Sequence, residues 1–289
     1  MEGFFQELAS HAHVERRRWM LGEASITRAI QAHIDIDSAA APEAVGERLL
    51  ETMDWNDGVA LARFSEPLGN EKLLAIGRAL GDIIPERSPD VADFLEGQNI
   101  LNIVSRFDSD APAEMRPFST GLLSLHSESS GHALRHQPHY ILLYCVASGD
   151  EATSAATVIV PMRGVTERLK ATDRAMLQRV RYRQCEEGPM IARETARGLA
   201  FSFRDFCGQR LDWSAESDTG GDVNSAIAAL LNALYDPDGA AIVRWEPGLM
   251  VAIDNFRCFH GRTAALHPSD GQRWLKRVRI GCGTADDGA

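Results

Sequence analysis

Cysteine is scarce and scattered. Five residues, Cys145, Cys185, Cys207, Cys258 and Cys282, form no CxxC pair and have an odd total. That leaves no disulfide framework and reads as reduced thiols in a cytoplasmic protein. Long apolar runs are missing, so no membrane span is expected. The start, Met1 to Glu7, lacks the basic-then-apolar order of a secretion signal. An excess of basic charge is missing too. The net charge is −11 and the pI near 5.3, and the clusters Arg16-Arg17-Arg18 and Arg273 to Arg279 are short and locally mixed. Nucleic acid and anionic membranes are therefore not expected partners. A small-molecule partner remains, and a homo-oligomer is compatible with the composition. No internal repeat or low-complexity segment appears.

What is present suits a globular protein. A chain of 289 residues, 44% of them hydrophobic, can bury a substantial core. We expect one catalytic domain over 1–289, with 1–95 mostly helical and a β core over 96–289 that carries a helical insert at about 165–240. Residues 1 to 60 show helical spacing with a break at Ser38 to Glu43, and Asn70 to Leu80 predicts a helix ending near Gly81. From Ile100 the pattern changes to strands: Leu101 to Val104, Tyr140 to Val146, Thr157 to Val160, Ala200 to Phe203, Leu249 to Ile253 and Trp274 to Ile280. Val165 to Arg181 and Val223 to Tyr235 return to a helical period. Regular strand–helix alternation is absent, so a mixed α/β chain with a mainly β, double-sheet core is the expected fold class.

His-x-acid pairs carry the chemistry. With 9 His and 41 acidic residues in 289, about 1.3 are expected by chance. Three occur: His13-Val14-Glu15, His33-Ile34-Asp35 and His126-Ser127-Glu128. Residues i and i+2 share one face of a strand but diverge around a helix. His13 lies in a helical segment and reads as a surface histidine. His33 follows a helical stretch and reads as structural. His126 ends the extendable run Thr120 to Leu125, so only His126 and Glu128 are well placed to grip one ion. A second histidine, His260, follows the turn glycine Gly248, the apolar strand Leu249 to Ile253 and the polar turn Asp254-Asn255. Two histidines and one carboxylate can hold one face of iron(II) and leave the other open, the arrangement of non-haem iron oxygenases.

Arginine is the third element. On a strand over Trp274 to Ile280, Arg273, Arg277 and Arg279 share one face. A guanidinium on an inner face is costly unless it binds an anion, and its fork matches a carboxylate. Arg273, with Arg277 beside it, is the candidate anchor, and solvated edge-strand charge is the alternative.

These pieces resemble the clavaminate synthase-like branch of the iron(II)/2-oxoglutarate dioxygenases, related to taurine dioxygenase. The matching blocks are Ser124-Leu125-His126-Ser127-Glu128, Pro247 to Asn255, His260-Gly261-Arg262-Thr263 and Asp270 to Val278. The loop between His260 and Arg273 looks one residue shorter than is usual there. The resemblance implies a double-stranded β-helix, or jelly roll. It implies Fe(II) on His126, Glu128 and His260, and 2-oxoglutarate and O2 as co-substrates. The far carboxylate of 2-oxoglutarate would meet Arg273, with Arg277 close by, and Thr153 is the candidate threonine at the same carboxylate. Hydroxylation with release of succinate and CO2 is the implied reaction. Halogenating relatives carry a small residue where Glu128 stands, so halogenation is disfavoured. The polar stretch Ser129 to Gln137 suits a lid, and His132 and His136 read as its surface histidines. By analogy with the branch, the substrate is amino-acid-like and belongs to natural-product biosynthesis, its carboxylate meeting Arg277 or Arg135. A desaturase or cyclase of the same family, a cupin-like metal barrel and a catalytically silent scaffold are the other classes left open.

Overall fold

The computed structural model describes residues 1–23, 25–105, 117–149, 155–185, 187–216, 222–265 and 273–282. The layering follows from where apolar side chains point. Strand Tyr140–Ala147 is apolar throughout because both of its faces are covered. Ile141, Leu143 and Cys145 enter one cluster, and Leu142 and Tyr144 enter another. That alternation is the period of two along a strand.

The strand lies inside a large sheet ordered Ile34–Ile36, Val59–Phe64, Leu249–Asp254, Tyr140–Ala147, Trp274–Gly281, Ile100–Val104 and Leu95–Glu96. The short strand Asp82–Ile83 also pairs with Trp274–Gly281. Pairings are antiparallel except that between Ile34–Ile36 and Val59–Phe64. A smaller antiparallel sheet runs Ala241–Val243, Thr157–Pro161, Cys258–Arg262 and Leu123–His126. Between the sheets, Leu101, Ile141, Leu143, Val251 and Leu275 meet Ile159, Val243 and Cys258. Helices Pro42–Trp55 and Asn70–Leu80 cover the outer side of the large sheet. Helices Met162–Arg168, Ala171–Leu177 and Val223–Leu234 cover the small sheet through Leu125, Val158, Val160 and Phe259. None of the described helices is long and apolar enough to cross a membrane.

Several strands and the helices Asn70–Leu80 and Val223–Leu234 fall where spacing predicts. The N-terminal part is less helical than expected. Glu2–Phe5, Ile34–Ile36 and Val59–Phe64 are strands, because each finds a distant partner that a local period does not reveal. Glu2–Phe5 pairs with Leu211–Ala215, which in turn pairs with Val180–Tyr182. The insert therefore carries strands as well as helices.

His13 is a second correction. It sits on a helix, Ala12–Arg17, but is fully buried. Its Nε2 lies 2.7 Å from Glu7 Oε1. His33 is exposed, and its Nδ1 accepts from the Leu61 backbone N–H at 3.2 Å. The charged look of the first helix is misleading because Arg17 points inward. Arg17 donates to Glu7 at 2.6 Å and to Asp205 at 2.8 Å. The Tyr235 hydroxyl donates to Asp205 at 2.6 Å and accepts from Leu125 N at 3.3 Å. Asp205 N donates to Leu125 O at 3.1 Å, and Ser124 Oγ donates to Asp205 O at 2.8 Å. One buried ionic group thus ties the N-terminal segment to strand Leu123–His126.

Burial alone would raise the Glu7 carboxyl, but Arg17 and His13 outweigh it and hold the group below its ordinary 4.5. A carboxyl depressed in the folded state stabilises above its unfolded value and loses that contribution as pH falls through its folded value. Two outcomes are expected. Arg17→Met strands two buried acids and costs about 3–5 kcal/mol in urea unfolding. Glu7→Gln is less stable than the wild type at pH 6, and the gap closes as pH falls below 4.5. A gap independent of pH would contradict the second.

Candidate metal centre

Strands Leu123–His126 and Cys258–Arg262 are neighbours in the small sheet, and His126 stands directly opposite His260. The pairing is irregular. Leu123 faces Arg262 while His126 faces His260, three steps on one strand against two on the other. That is the geometry of a bulge, which re-aims side chains. Leu125 goes to the outer cluster while Leu123 and His126 both line the inner cavity. Gly261 makes the close approach possible. A Cβ there would lie 2.7 Å from the Leu123 carbonyl oxygen and 3.3 Å from Leu125 N, both backbone atoms with little room to yield.

The two imidazoles end with ring centroids 4.3 Å apart at 49°. Glu128 Oε2 lies 3.7 Å from His126 Nε2 and 3.8 Å from His260 Nε2. One ligand atom from each residue falls within 4.8 Å of the others, so the group could hold a metal ion. The protonation pattern agrees. His126 Nδ1 sits 2.8 Å from Ser124 O, so it carries the proton and leaves the Nε2 lone pair free. Burial, helped by the neighbouring His126, pushes His260 down to about 4, which keeps that imidazole neutral at pH 7. Burial would raise the Glu128 carboxyl, but the charge of Arg277, with the two histidines close by, holds it well below the carboxylate range. Neutral imidazole and ionised carboxylate are the forms that bind a metal.

Glu128 is held from two sides. Arg277 donates to its Oε1 at 3.0 Å and to Glu86 at 3.0 Å. The fully buried Asn255 side chain accepts from Glu128 N at 2.7 Å and donates to Glu128 O at 3.2 Å and Pro138 O at 2.9 Å.

A cavity of about 740 Å³ opens beside these groups and reaches Arg273, Leu275 and Arg277 on one face of their strand. Arg273 is 3% exposed and donates to Ala155 O at 2.9 Å. Its Nε has no hydrogen-bond partner, and among the described residues no carboxylate pairs with it. Burial lowers it to about 10, the mark of an uncompensated inner cation. Leu101, Ile103 and Leu143 line the same end of the cavity. An anion entering there would gain a charge-assisted bond in a largely apolar wall.

The other expected residues are placed differently. Arg135 is exposed, pairs with Glu187 at 2.8 Å, and does not line the cavity. Thr153 lies outside the described residues. His132 and His136 are exposed, in a segment whose Gln137 is buried and donates to His132 O at 2.8 Å. Sequence reasoning missed Asn255 and Gly261 as positioning residues, although both flank His260 in one short block. It also missed Glu86, which carries no local signal.

Residues 24–279 match the profile of the taurine catabolism dioxygenase TauD, TfdA family. The chain is 30% identical over 171 residues to clavaminate synthase 2 of Streptomyces clavuligerus, covering 56% of this chain and 50% of that protein. It thus spans about half the length of the curated relative it matches. Among solved structures, the non-heme iron oxygenase OrfP in complex with Fe and alpha-ketoglutaric acid is similar at a TM-score of 0.62 and 20% identity, covering 84% of this chain and 81% of that one. An asparagine oxygenase in complex with Fe(II), 2S,3S-3-hydroxyasparagine and succinate is similar at 0.59 and 18%, covering 95% and 92%. PvcB from Pseudomonas aeruginosa is similar at 0.59 and 19%, covering 89% and 90%. At such identities the likeness is one of fold.

Removing the Asn255 clamp should loosen Glu128 without touching a ligand atom. Asn255→Ala is expected to weaken divalent-metal binding by about 10–100-fold, as loss of an outer partner does. Anaerobic titration calorimetry with iron(II) measures it, and unchanged affinity would remove Asn255 from the site.

Proposed function

Because the chain belongs to the taurine catabolism dioxygenase TauD, TfdA family, we propose that it is an Fe(II)- and 2-oxoglutarate-dependent oxygenase that hydroxylates a small amino-acid-like substrate. One observation carries the reading: two histidines and a carboxylate converge within 4.8 Å beside a buried arginine that lacks an acidic partner among the described residues. The two facing sheets support reading the core as a double-stranded β-helix.

His126, Glu128 and His260 would hold iron(II) on one side and leave positions for the two co-substrates. When bound, the metal supplies the redox chemistry that couples O2 and 2-oxoglutarate to oxidation of a C–H bond. The protein's own part is positioning. Arg273 offers its fork to the far carboxylate of 2-oxoglutarate, and Thr153 is kept as a partner for the same group. Leu101, Ile103, Leu143 and Leu275 exclude water around that end. Arg277 holds one oxygen of Glu128, leaving the other toward the histidines. A guanidinium so placed stands at the border between the metal and the outer cavity, where a substrate carboxylate can share it. Arg135 is held at the protein surface by Glu187, so Arg277 is the better of the two candidates.

The amino-acid class rests on relatives. OrfP has been captured with hydroxylated L-Arg, and the asparagine oxygenase with hydroxyasparagine. Cytoplasmic location and natural-product biosynthesis complete the reading.

The test is anaerobic loading with iron(II) and 2-oxoglutarate, then succinate release on adding O2 and a panel of free amino acids and their conjugates. At least one compound should stimulate release. His126→Ala and Glu128→Ala should abolish it. Arg273→Ala should raise the apparent 2-oxoglutarate requirement by about 10–100-fold, the worth of bonds to a charged group. An unchanged requirement would move the anchor elsewhere, and no stimulation by any compound would end the amino-acid assignment.

A further inference from the structure

Outside the cavity, one cysteine sits in an arrangement that the chemistry above does not use. Cys282 Sγ lies 2.9 Å from His139 Nδ1. On the other side of the ring, His139 Nε2 lies 3.8 Å from Asp254 Oδ1. The carboxylate is 3% exposed, the imidazole side chain 24%, and the thiol is exposed. Thiol, imidazole and carboxylate therefore stand in a row that runs from solvent to core.

The frame is rigid. His139 N donates to Ile280 O, and Asn255 N donates to His139 O. The ring stacks on Tyr140 at 4.2 Å and tilts against Phe256 at 5.0 Å. Phe256 N donates to Asp254 Oδ1, fixing the carboxylate. With Nε2–H toward Asp254, Nδ1 is left to accept the thiol proton. The resulting imidazolium would be flanked by a thiolate and a carboxylate. A nucleophile, a base and a group that orients the base form the arrangement that activates thiols.

We propose that Cys282 is a reactive thiol, activated by His139 and Asp254, and a site of two-electron oxidation by hydrogen peroxide. The thiol proton passes to His139 Nδ1, and the thiolate attacks one peroxide oxygen. The S–O bond forms as the O–O bond breaks, and the leaving hydroxide takes the proton from the imidazolium to become water. Sulfur loses two electrons and the peroxide gains them, leaving a sulfenic acid and one water.

Other cysteines lack this setting. Burial pushes Cys145 up to about 12 and raises Cys185, while Cys258 is fully buried and raised as well. Cys207 lies 3.9 Å from the Asp205 carboxylate, which disfavours a thiolate. Among the described residues, the charged groups acting on Tyr140 and Asp254 beside the row include Arg197, Asp54 and Arg257. Arg197 and Arg257 both pair with Asp54, and His139 contacts the sulfur.

The full-length protein is alkylated with iodoacetamide across a pH series, and the modified cysteines are located by mass spectrometry. Cys282 should label first, with a midpoint below the roughly 8.5 of a free thiol. His139→Gln should slow labelling at pH 7 by about tenfold and move the midpoint toward that of a free thiol. Asp254→Asn, which keeps an acceptor for Phe256 N, should move it in the same direction and guards against a folding defect in the first variant. Exposure to hydrogen peroxide and then dimedone should place one adduct on Cys282. The proposal is overturned if Cys282 labels no faster than Cys185 or Cys207, if His139→Gln leaves its midpoint in place, or if the dimedone adduct appears elsewhere or nowhere.

Discussion

The site depends on one cross-strand pairing, His126 opposite His260. Residues paired across an antiparallel ladder lie about 4.5–5.5 Å apart at Cβ, so two imidazoles on one face can reach a common ion with no help from loops. The difficulty is facing. A regular ladder would send Leu125 and Leu123 to the same side, and Leu125 is needed in the packing against helix Val223–Leu234. The irregular step between Leu123 and His126 resolves the conflict. Leu125 packs outward while His126 turns in. Gly261 gives the opposing strand the space to follow.

Charge is distributed around this pairing in two contrasting ways. Arg277 is shared by Glu128 and Glu86, and Arg279 adds a contact to Glu86 at 3.3 Å. That network leaves its members locally compensated and fixes one oxygen of the ligand carboxylate. Arg273, four residues earlier on the same face, is buried with a backbone carbonyl and an orphan Nε. A folded protein tolerates an uncompensated buried cation only by drawing on the rest of its stability, a cost of several kcal/mol. In the proposed reading, the far carboxylate of 2-oxoglutarate would relieve that cost. The two arginines, alike in sequence context, differ because among the described residues only Arg277 has carboxylates within reach.

Much of this was legible in sequence, and the reasons are local. His126 and Glu128 are two apart in a run that reads as extended, and His260 follows a strand flanked by Gly248 and Asp254-Asn255. The inward face of Arg273 and Arg277 follows from alternation along Trp274–Gly281. What escaped was long-range. Arg17 looks like a surface charge until Asp205, 188 positions on, is seen beside it. The strand Glu2–Phe5 is too short to announce itself and is extended only because Leu211–Ala215 is there to pair with it. Glu86 has no pattern at all. Asn255 could be flagged as part of a turn, but that its amide grips the backbone of Glu128 is a tertiary fact.

The buried group formed by Glu7, Arg17, Asp205 and Tyr235 also constrains how the chain can be made. Its first two members leave the ribosome long before the last two, and until then Arg17 and Glu7 must stay hydrated because only half of their partners exist. Strand Leu123–His126, which borrows Leu125 N and O contacts from Tyr235 and Asp205, is in the same position. Glu7 and Arg17 can therefore complete this group only once the chain has been made past Tyr235, and loop-closure entropy makes such distant pairings slow. The pairing of His126 with His260 comes later still, because strand Cys258–Arg262 follows Tyr235 in the chain.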